Sequence, residues 1–380
     1  MRSMIAPISI AVVGLGFGAE FAAIYNRHPD VRRTVIVDAN RERLTRVGER
    51  FDISDRAETL ESVITDPDID AVHIVSGIPD HAQQTINVLR AGKHCACAVP
   101  MATSIEDLQE IIATVKETGL NYMMMETTFY DRTFLWVKDQ LDAGVFGEIQ
   151  MLRGSHYQDM ENWPSYWAGL PPMWYATHAV SPILALANTR ATHTHCFGSG
   201  TMREELVQKY DNPFPIETAI FQLTDSSVAA EVTRALFHSA KPYVESFDLH
   251  GSKATFEWQQ EWGDPPLLHQ LSPLNQSKGP RKTKTKRVEL PDYAERLPPE
   301  IARFTQRGVY DKNHQHLSFE HGGGHGGSHP HLCHEFIRSV VEGRSSAINE
   351  IRGADWTAPG ICAHQSALSG GKRITIPEFN

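Results

Sequence analysis

Ile8-Ser9-Ile10-Ala11-Val12-Val13-Gly14-Leu15-Gly16-Phe17-Gly18-Ala19 decides how the chain is read. Six apolar, mostly β-branched residues describe a short buried strand, and they break directly into glycines at 14 and 16 with a small residue at 19. That spacing is the G-x-G-x-x-G/A turn: the first glycine permits a tight bend, the second lets backbone approach a pyrophosphate, and the third small residue allows close helix-on-strand packing. Glu20 to Arg27 reads as the following helix, stopped at Pro29, with its first N–H groups directed at the phosphates. Thr34-Val35-Ile36-Val37 is a second strand ending in Asp38, placed to accept hydrogen bonds from an adenosine ribose. A carboxylate there repels a 2′-phosphate and so favours NAD, while Arg41 and Arg43 keep NADP open as the alternative.

Outward from this unit the pattern continues. Asp70–Val75, His94–Ala98 and Asn121–Met125 read as strands, and Ala82–Ala91 and Ser104–Thr118 as helices, the latter with Ser104 as its N-cap. Alternation of this kind means a Rossmann-type, doubly wound parallel sheet with helices on both faces and ligands at the carboxyl ends of its strands. From Gly147 onward the runs alternate in the manner of an open, mainly antiparallel sheet: Glu148–Gly154, Thr218–Leu223, Ser227–Leu236, Ser246–His250 and Ala254–Trp258. The expected class is α/β, with a dinucleotide-binding domain over residues 1–130 and an α+β substrate domain over 131–380, whose final helix spans His331–Glu342 and whose tail returns to the first domain. An open sheet of this sort commonly buries its outer face against a second copy, so a homo-oligomer is expected.

The length of 380 residues suits two domains, and 41% hydrophobic with 22% charged residues is ordinary for a globular protein. Thirty-six basic against 46 acidic residues leave a formal charge of −10, which argues against a nucleic-acid or membrane-surface role. The apolar amino-terminal run is too short for a signal-peptide core and leads into the glycine turn, so a cytoplasmic protein is expected. Five scattered cysteines do not suggest a disulfide framework. Two stretches remain irregular. Asn275–Arg287, rich in Lys and Arg, reads as a solvated loop, and Gly322-Gly323-Gly324-His325-Gly326-Gly327 as a linker or as a mobile loop that carries His325 to a substrate.

On the glycine turn, Asp38, Ser76-Gly77-Ile78-Pro79-Asp80-His81 and Ala91-Gly92-Lys93-His94, the chain resembles the Gfo/Idh/MocA family of nicotinamide-dependent sugar oxidoreductases. That family continues into Glu-Lys-Pro, whose lysine works beside the transferred hydrogen; the matching residues here are Ala98-Val99-Pro100. Val99 cannot exchange a proton. Val-Pro in that place is similar to the branch classified as glycoside hydrolase family 109. Also similar are Met123-Met124-Met125-Glu126-Thr127-Thr128-Phe129-Tyr130, Tyr175-Ala176-Thr177-His178, and Gly323-Gly324-His325-Gly326-Gly327. Thr127 and Ala176 depart from the Asn and Pro of that branch, which points toward a sister family acting on a different sugar; an anionic sugar facing Arg303, Arg307 or Lys312 is one reading.

The resemblance implies an NAD-dependent glycosidase: oxidation at C3 of the sugar, loss of the acidified C2 proton, elimination of the C1 leaving group, addition of water, and re-reduction by a cofactor that stays tightly bound. It places cofactor contacts at Gly14, Gly16, Phe17, Gly18, Asp38, Arg43, Ser76, Ile78, His81, Ala98, Val99 and Glu126, and substrate contacts at Glu126, Trp167 and Tyr243. The i,i+3 spacing of Tyr175 and His178 puts both on one face of a helical start. Tyr175 is the expected base, with His178 beside it, and His325 the expected general acid. The competing readings are a hydrogen-bonded core pair for Tyr175 and His178, a capping role for Glu126, a sugar or inositol dehydrogenase in which Tyr175 or His178 replaces the lysine, and a silent NAD(H)-binding regulator. No metal is required, although His314, His316, His321, His325, His329, His331 and His334 form a dense run.

Overall fold

In the computed structural model, which describes residues 6–259, 261, 263–273, 279–308 and 322–380, Ile8–Val13 is a fully buried strand. This strand, β1, lies at the centre of a six-stranded parallel sheet with β2 (Val31–Val37), β3 (Arg56–Ala57), β4 (Ala71–Ile74), β5 (His94–Cys97) and β6 (Tyr122–Met124), in the order β3-β2-β1-β4-β5-β6. The order reverses direction between β1 and β4, and in such sheets the crevice beyond the strands' carboxyl ends takes the ligand. Local chemistry matches the sequence reading: the Ser104 hydroxyl accepts from Asp107 N–H at 3.1 Å and caps the helix Ile105–Thr118, and Gly119 ends it in the left-handed region at φ 66°.

The second sheet has nine strands. They are β7 (Ile149–Tyr157), β8 (Ala191–Ser199), β9 (Ile216–Leu223), β10 (Ala229–Ala235), β11 (Val244–Gly251), β12 (Ala254–Glu257), β13 (Leu267–Leu271), β14 (Thr283–Arg287) and β15 (Ile374–Thr375). Their order is β14-β13-β12-β11-β7-β10-β9-β8-β15, antiparallel throughout except for the parallel pair β7 and β10. One face buries Leu152, Val232, Phe221, Phe247 and Leu249. The stretch expected as a loop from Asn275 is corrected over Thr283–Arg287, which forms edge strand β14; Asn275–Lys278 lie outside the described residues. All five β14 residues are exposed, and its alternating Thr and Lys residues suit a strand that must not pair with a neighbour.

The chain divides into two compact units, residues 1–131 with 292–354 and residues 132–291 with 355–380. The first break lies next to the expected one after residue 130, whereas residues 292–354, expected in the second domain, fall in the first unit. Asp292–Ala354 packs with the first unit because the helix His329–Glu342 buries Leu332, Cys333, Phe336 and Ile337, and because Met124 N–H donates to Ile348 O at 2.9 Å. The terminal segment belongs with the second unit, where β15 pairs with β8. All five cysteines are free and buried. No helix among the described residues is long and apolar enough to cross a membrane.

Two histidines of the first unit make its stability pH-dependent. Burial, then His334, lowers His28 to about 4, and burial, then His81, lowers His73 to about 3. Both therefore fold neutral, whereas the unfolded chain takes up their protons below about pH 6.5. Since the unfolded state binds more protons in this window, stability falls as the pH drops from about 6.5 toward 4, with a slope of about 1.4 kcal/mol per pH unit per histidine. Urea midpoints at pH 7.5 and pH 5 check this; equal midpoints would count against it.

Candidate functional site

The residues singled out from the sequence fall into two groups, one in each unit. In the first, Gly14 bends the chain at φ +90°, and a Cβ there would stand 2.5 Å from Val75 O. A Cβ on Gly18 would run into the Gly14 carbonyl, whereas Gly16 is exposed with open space above its Cα. Asp38, 8% exposed, braces this turn: Oδ2 accepts Leu15 N–H at 2.8 Å and lies 3.2 Å from the Arg43 guanidinium, and Oδ1 accepts Asn40 N–H at 2.8 Å. A tight turn with one bare backbone position, ending at a buried carboxylate, fits a dinucleotide, and Arg43 is already committed to Asp38. Gly14→Ala should weaken NAD binding at least about tenfold, because a side chain at that φ costs on the order of 1–3 kcal/mol before the clash is counted; titration of protein fluorescence with NADH reads this directly.

The remaining cofactor-side residues are spread along the carboxyl ends of β4, β5 and β6. Ser76 Oγ donates to Gln84 Oε1 at 2.6 Å, Ile78 is buried at the start of a 3-10 turn, Ala98 N–H donates to Ile74 O at 2.9 Å, and Val99 is buried. His81 is 1% exposed, with both ring nitrogens against main-chain carbonyls. Glu126 is fully buried and its Oε1 accepts Thr128 N–H at 3.0 Å, which is the capping role weighed above.

The glycine-rich stretch is a tight turn, Gly324–Gly327, closing over the residues that follow β6. His325 itself has a left-handed backbone, φ 44° and ψ 55°, an uncommon conformation for a residue with a side chain. Its ring lies edge-on to Phe17 of the dinucleotide turn, centroids 5.6 Å apart, and Nδ1 stands 3.4 Å from Thr127 Oγ1. The neighbours explain the glycines: a Cβ on Gly326 would land on the Asp131 carboxylate, and one on Gly324 would stand 2.9 Å from the His329 ring. Phe17, 43% exposed, also meets His329 at 5.3 Å, so imidazoles and phenyl rings form one layer over the turn. Thr127 and Asp131 were not found from the sequence, where Thr127 registered only as a departure.

In the second unit Tyr175 ends the turn Pro172–Tyr175 and His178 opens the helix Thr177–Ala187, which brings Tyr175 Oη and His178 Nε2 to 3.3 Å. His178 Nε2 is also 3.8 Å from Glu245 Oε1, the oxygen to which Tyr243 donates its hydroxyl. Burial, then Glu245, holds the Tyr243 phenol well above its ordinary value, so Tyr243 stays a donor. Trp167 is buried with its ring perpendicular to Tyr175, centroids 4.6 Å apart.

Beneath this group lies Arg234, fully buried, donating to Tyr175 O at 2.7 Å, His156 O at 3.2 Å and Gln158 Oε1 at 3.0 Å, with its guanidinium 5.3 Å from the Tyr175 ring. Burial pulls Arg234 down to about 10, against the pull of Tyr175, Tyr243 and Glu245, so it is charged at neutral pH. On the other side, Glu217 Oε2 accepts Met173 N–H at 2.9 Å while Oε1 lies 2.7 Å from His364 Nδ1. Glu245, Arg234 and the Glu217–His364 pair escaped sequence reading because they sit on strands β11, β10 and β9 and on a distant helix, with no local motif to mark them.

Arg303 and Arg307 are exposed, Arg303 over the Phe304 ring. Lys312, His314, His316 and His321 lie outside the described residues. Among the described residues no cluster of three or more His, Cys, Asp or Glu side chains could hold a metal ion.

Residues 8–126 match the model of the oxidoreductase family with an NAD-binding Rossmann fold. A glycosyl hydrolase family 109 protein of Saccharopolyspora erythraea is 21% identical over 411 residues, covering 98% of this chain and 83% of that protein. Among solved structures, levoglucosan dehydrogenase in complex with NADH and levoglucosan superposes with a TM-score of 0.74 at 19% identity, covering 98% of this chain and 100% of that one. Myo-inositol 2-dehydrogenase from Lactobacillus plantarum gives 0.72 at 17%, covering 98% and 100%. At these identities the structural likeness speaks for the fold alone. What these comparisons share is the dinucleotide-binding part of the chain: over residues 8–126 it is similar to the oxidoreductase family built on the NAD-binding Rossmann fold.

Proposed function

We propose that the protein is an NAD-dependent glycoside hydrolase that cleaves its substrate by transient oxidation, elimination and hydration. When bound, NAD⁺ supplies a reversible withdrawal of two electrons from C3 of the sugar, which acidifies the proton on C2. Tyr175 is the base for that proton, with His178 as its hydrogen-bond partner and the buried Arg234 charge favouring the phenolate. Glu245 orients His178 and keeps Tyr243 as a donor to the carboxylate. His325 donates a proton to the departing glycosidic oxygen, then takes one from the water that adds at C1, since an imidazole can serve as either acid or base.

The observation that carries this reading is the imidazole of His325 on the dinucleotide turn, in addition to the tyrosine–histidine pair. A dehydrogenase needs one proton acceptor, whereas elimination followed by hydration needs a base and a separate acid. The family 109 relative, aligned over 98% of the chain, supports the same choice. The dehydrogenase reading is favoured by the levoglucosan and inositol dehydrogenases among the structural neighbours. Incubation with aryl glycosides separates them: aglycone release with deuterium uptake at C2 in heavy water and no accumulation of NADH supports hydrolysis, and stoichiometric NADH supports a dehydrogenase. Cofactor binding with neither outcome across a broad glycoside panel would leave a regulator. Exposed Phe197 and Ile220 on neighbouring strands of the second sheet favour cover by a second copy, for which sedimentation above monomer mass is the check.

A further inference from the structure

His81 stands at the start of the helix His81–Arg90 and ties together the two loops that leave β4 and β5. Its Nδ1 is 2.8 Å from Pro100 O and its Nε2 is 3.2 Å from Ser76 O. Carbonyl oxygens only accept, so each contact is satisfied only by an N–H on the ring. A neutral imidazole has one; the second nitrogen would present its lone pair to a carbonyl in a site that is 1% exposed. Leaving a buried polar atom so opposed costs on the order of 1–3 kcal/mol, which protonation removes. Among the described residues, the titratable groups that act on the ring or are acted on by it are Cys97 at the end of β5 and His73 on β4, neither of them a carboxylate. Burial alone lowers the imidazole, but Cys97 and the Pro100 and Ser76 carbonyls outweigh it and raise His81 to about 9.

We infer that His81 is a permanent imidazolium whose charge biases the cofactor pocket against oxidised nicotinamide and toward the reduced form. This rests on the reading that the first unit holds NAD. Asp38 at the end of β2 marks the adenosine side of the crevice, so the β4 and β5 ends, where His81 lies, are left to the nicotinamide half. Its ring nitrogens are committed to the protein, which makes it a positioning residue that acts through its charge instead of a ligand. Oxidised nicotinamide carries a positive ring and the reduced form a neutral one, so a nearby buried cation raises the cost of the first alone. The effect on a bound cofactor is to make it the stronger oxidant, which assists the opening step at C3.

Two measurements test this. Ring ¹⁵N spectra of the wild-type protein at pH 7.5 should show both His81 nitrogens protonated, assigned by their loss in His81→Gln. Equilibrium titrations should show that the ratio of the NAD⁺ to the NADH dissociation constant falls about tenfold in His81→Gln, the size expected for one buried unit charge at moderate distance. A single N–H on the wild-type ring, or an unchanged ratio in a folded variant, would overturn the assignment. Wild-type protein that binds neither form would overturn it too, but by removing the cofactor reading beneath it; the ¹⁵N result on its own tells the two failures apart.

Discussion

His325→Ala should lower hydrolysis of alkyl glycosides by about 10²–10⁴-fold while leaving NADH affinity within about twofold of wild type. Removing a general acid matters in proportion to the basicity of the leaving group, so nitrophenyl glycosides, whose phenolate departs unaided, should lose far less. With Tyr175 as the proposed base, exchange of the C2 proton with solvent should persist in His325→Ala and vanish in Tyr175→Phe. Product analysis by NMR in heavy water reads both quantities in one experiment. Equal loss for good and poor leaving groups would remove His325 from the acid role, and full activity would remove it from the site.

Gly326→Ala should reproduce most of that defect with the imidazole still present. Gly326 has φ +61°, and its added Cβ would fall on the Asp131 carboxylate, so the turn must move away from the residues following β6. A shift of about 1 Å in a catalytic group is enough for a loss of about 10²-fold, even at a site that never touches substrate. The expected signature is a drop in kcat with unchanged NADH affinity, in a protein whose urea midpoint is lowered by the strain of about 1–3 kcal/mol but which is still folded under assay conditions. Wild-type turnover would mean that the turn tolerates displacement and that placement of His325 by the glycines has no bearing on rate.

Much of the first unit was legible because its signals are local. The run of apolar residues into Gly14 and the Ser104 cap concern neighbours within a few residues, and the acid at Asp38 stands at the fixed end of the next strand, 23 positions from the Leu15 N–H it accepts. Tyr175 and His178 were legible for the same reason, being one helical turn apart. What stayed hidden was chosen by tertiary contact. Nothing in the sequence around Glu245 tells that its carboxylate meets His178, nor around Arg234 that it holds the Tyr175 carbonyl, because those partners lie 67 and 59 positions away. The glycines at 322–327 suggested looseness by composition; their meaning emerged only when Asp131, His329 and Arg307 were found in the places their side chains would fill. β14 was missed because an exposed edge strand buries no face and so carries no apolar alternation.

The first unit is assembled from two pieces separated by 160 residues, and this bears on how the protein is made. A ribosome releases the dinucleotide sheet long before it releases the helix His329–Glu342, whose Cys333 hydrogen-bonds Tyr25 on the helix beside β1. During that interval the apolar flank of the helix Ala19–Tyr25 waits without its cover, at the stage of synthesis when nascent chains are most prone to stick to one another. Chaperone demand should therefore peak in mid-synthesis, and a fragment cut after residue 131 should be recovered as aggregate, its sheet complete but one of its sides bare.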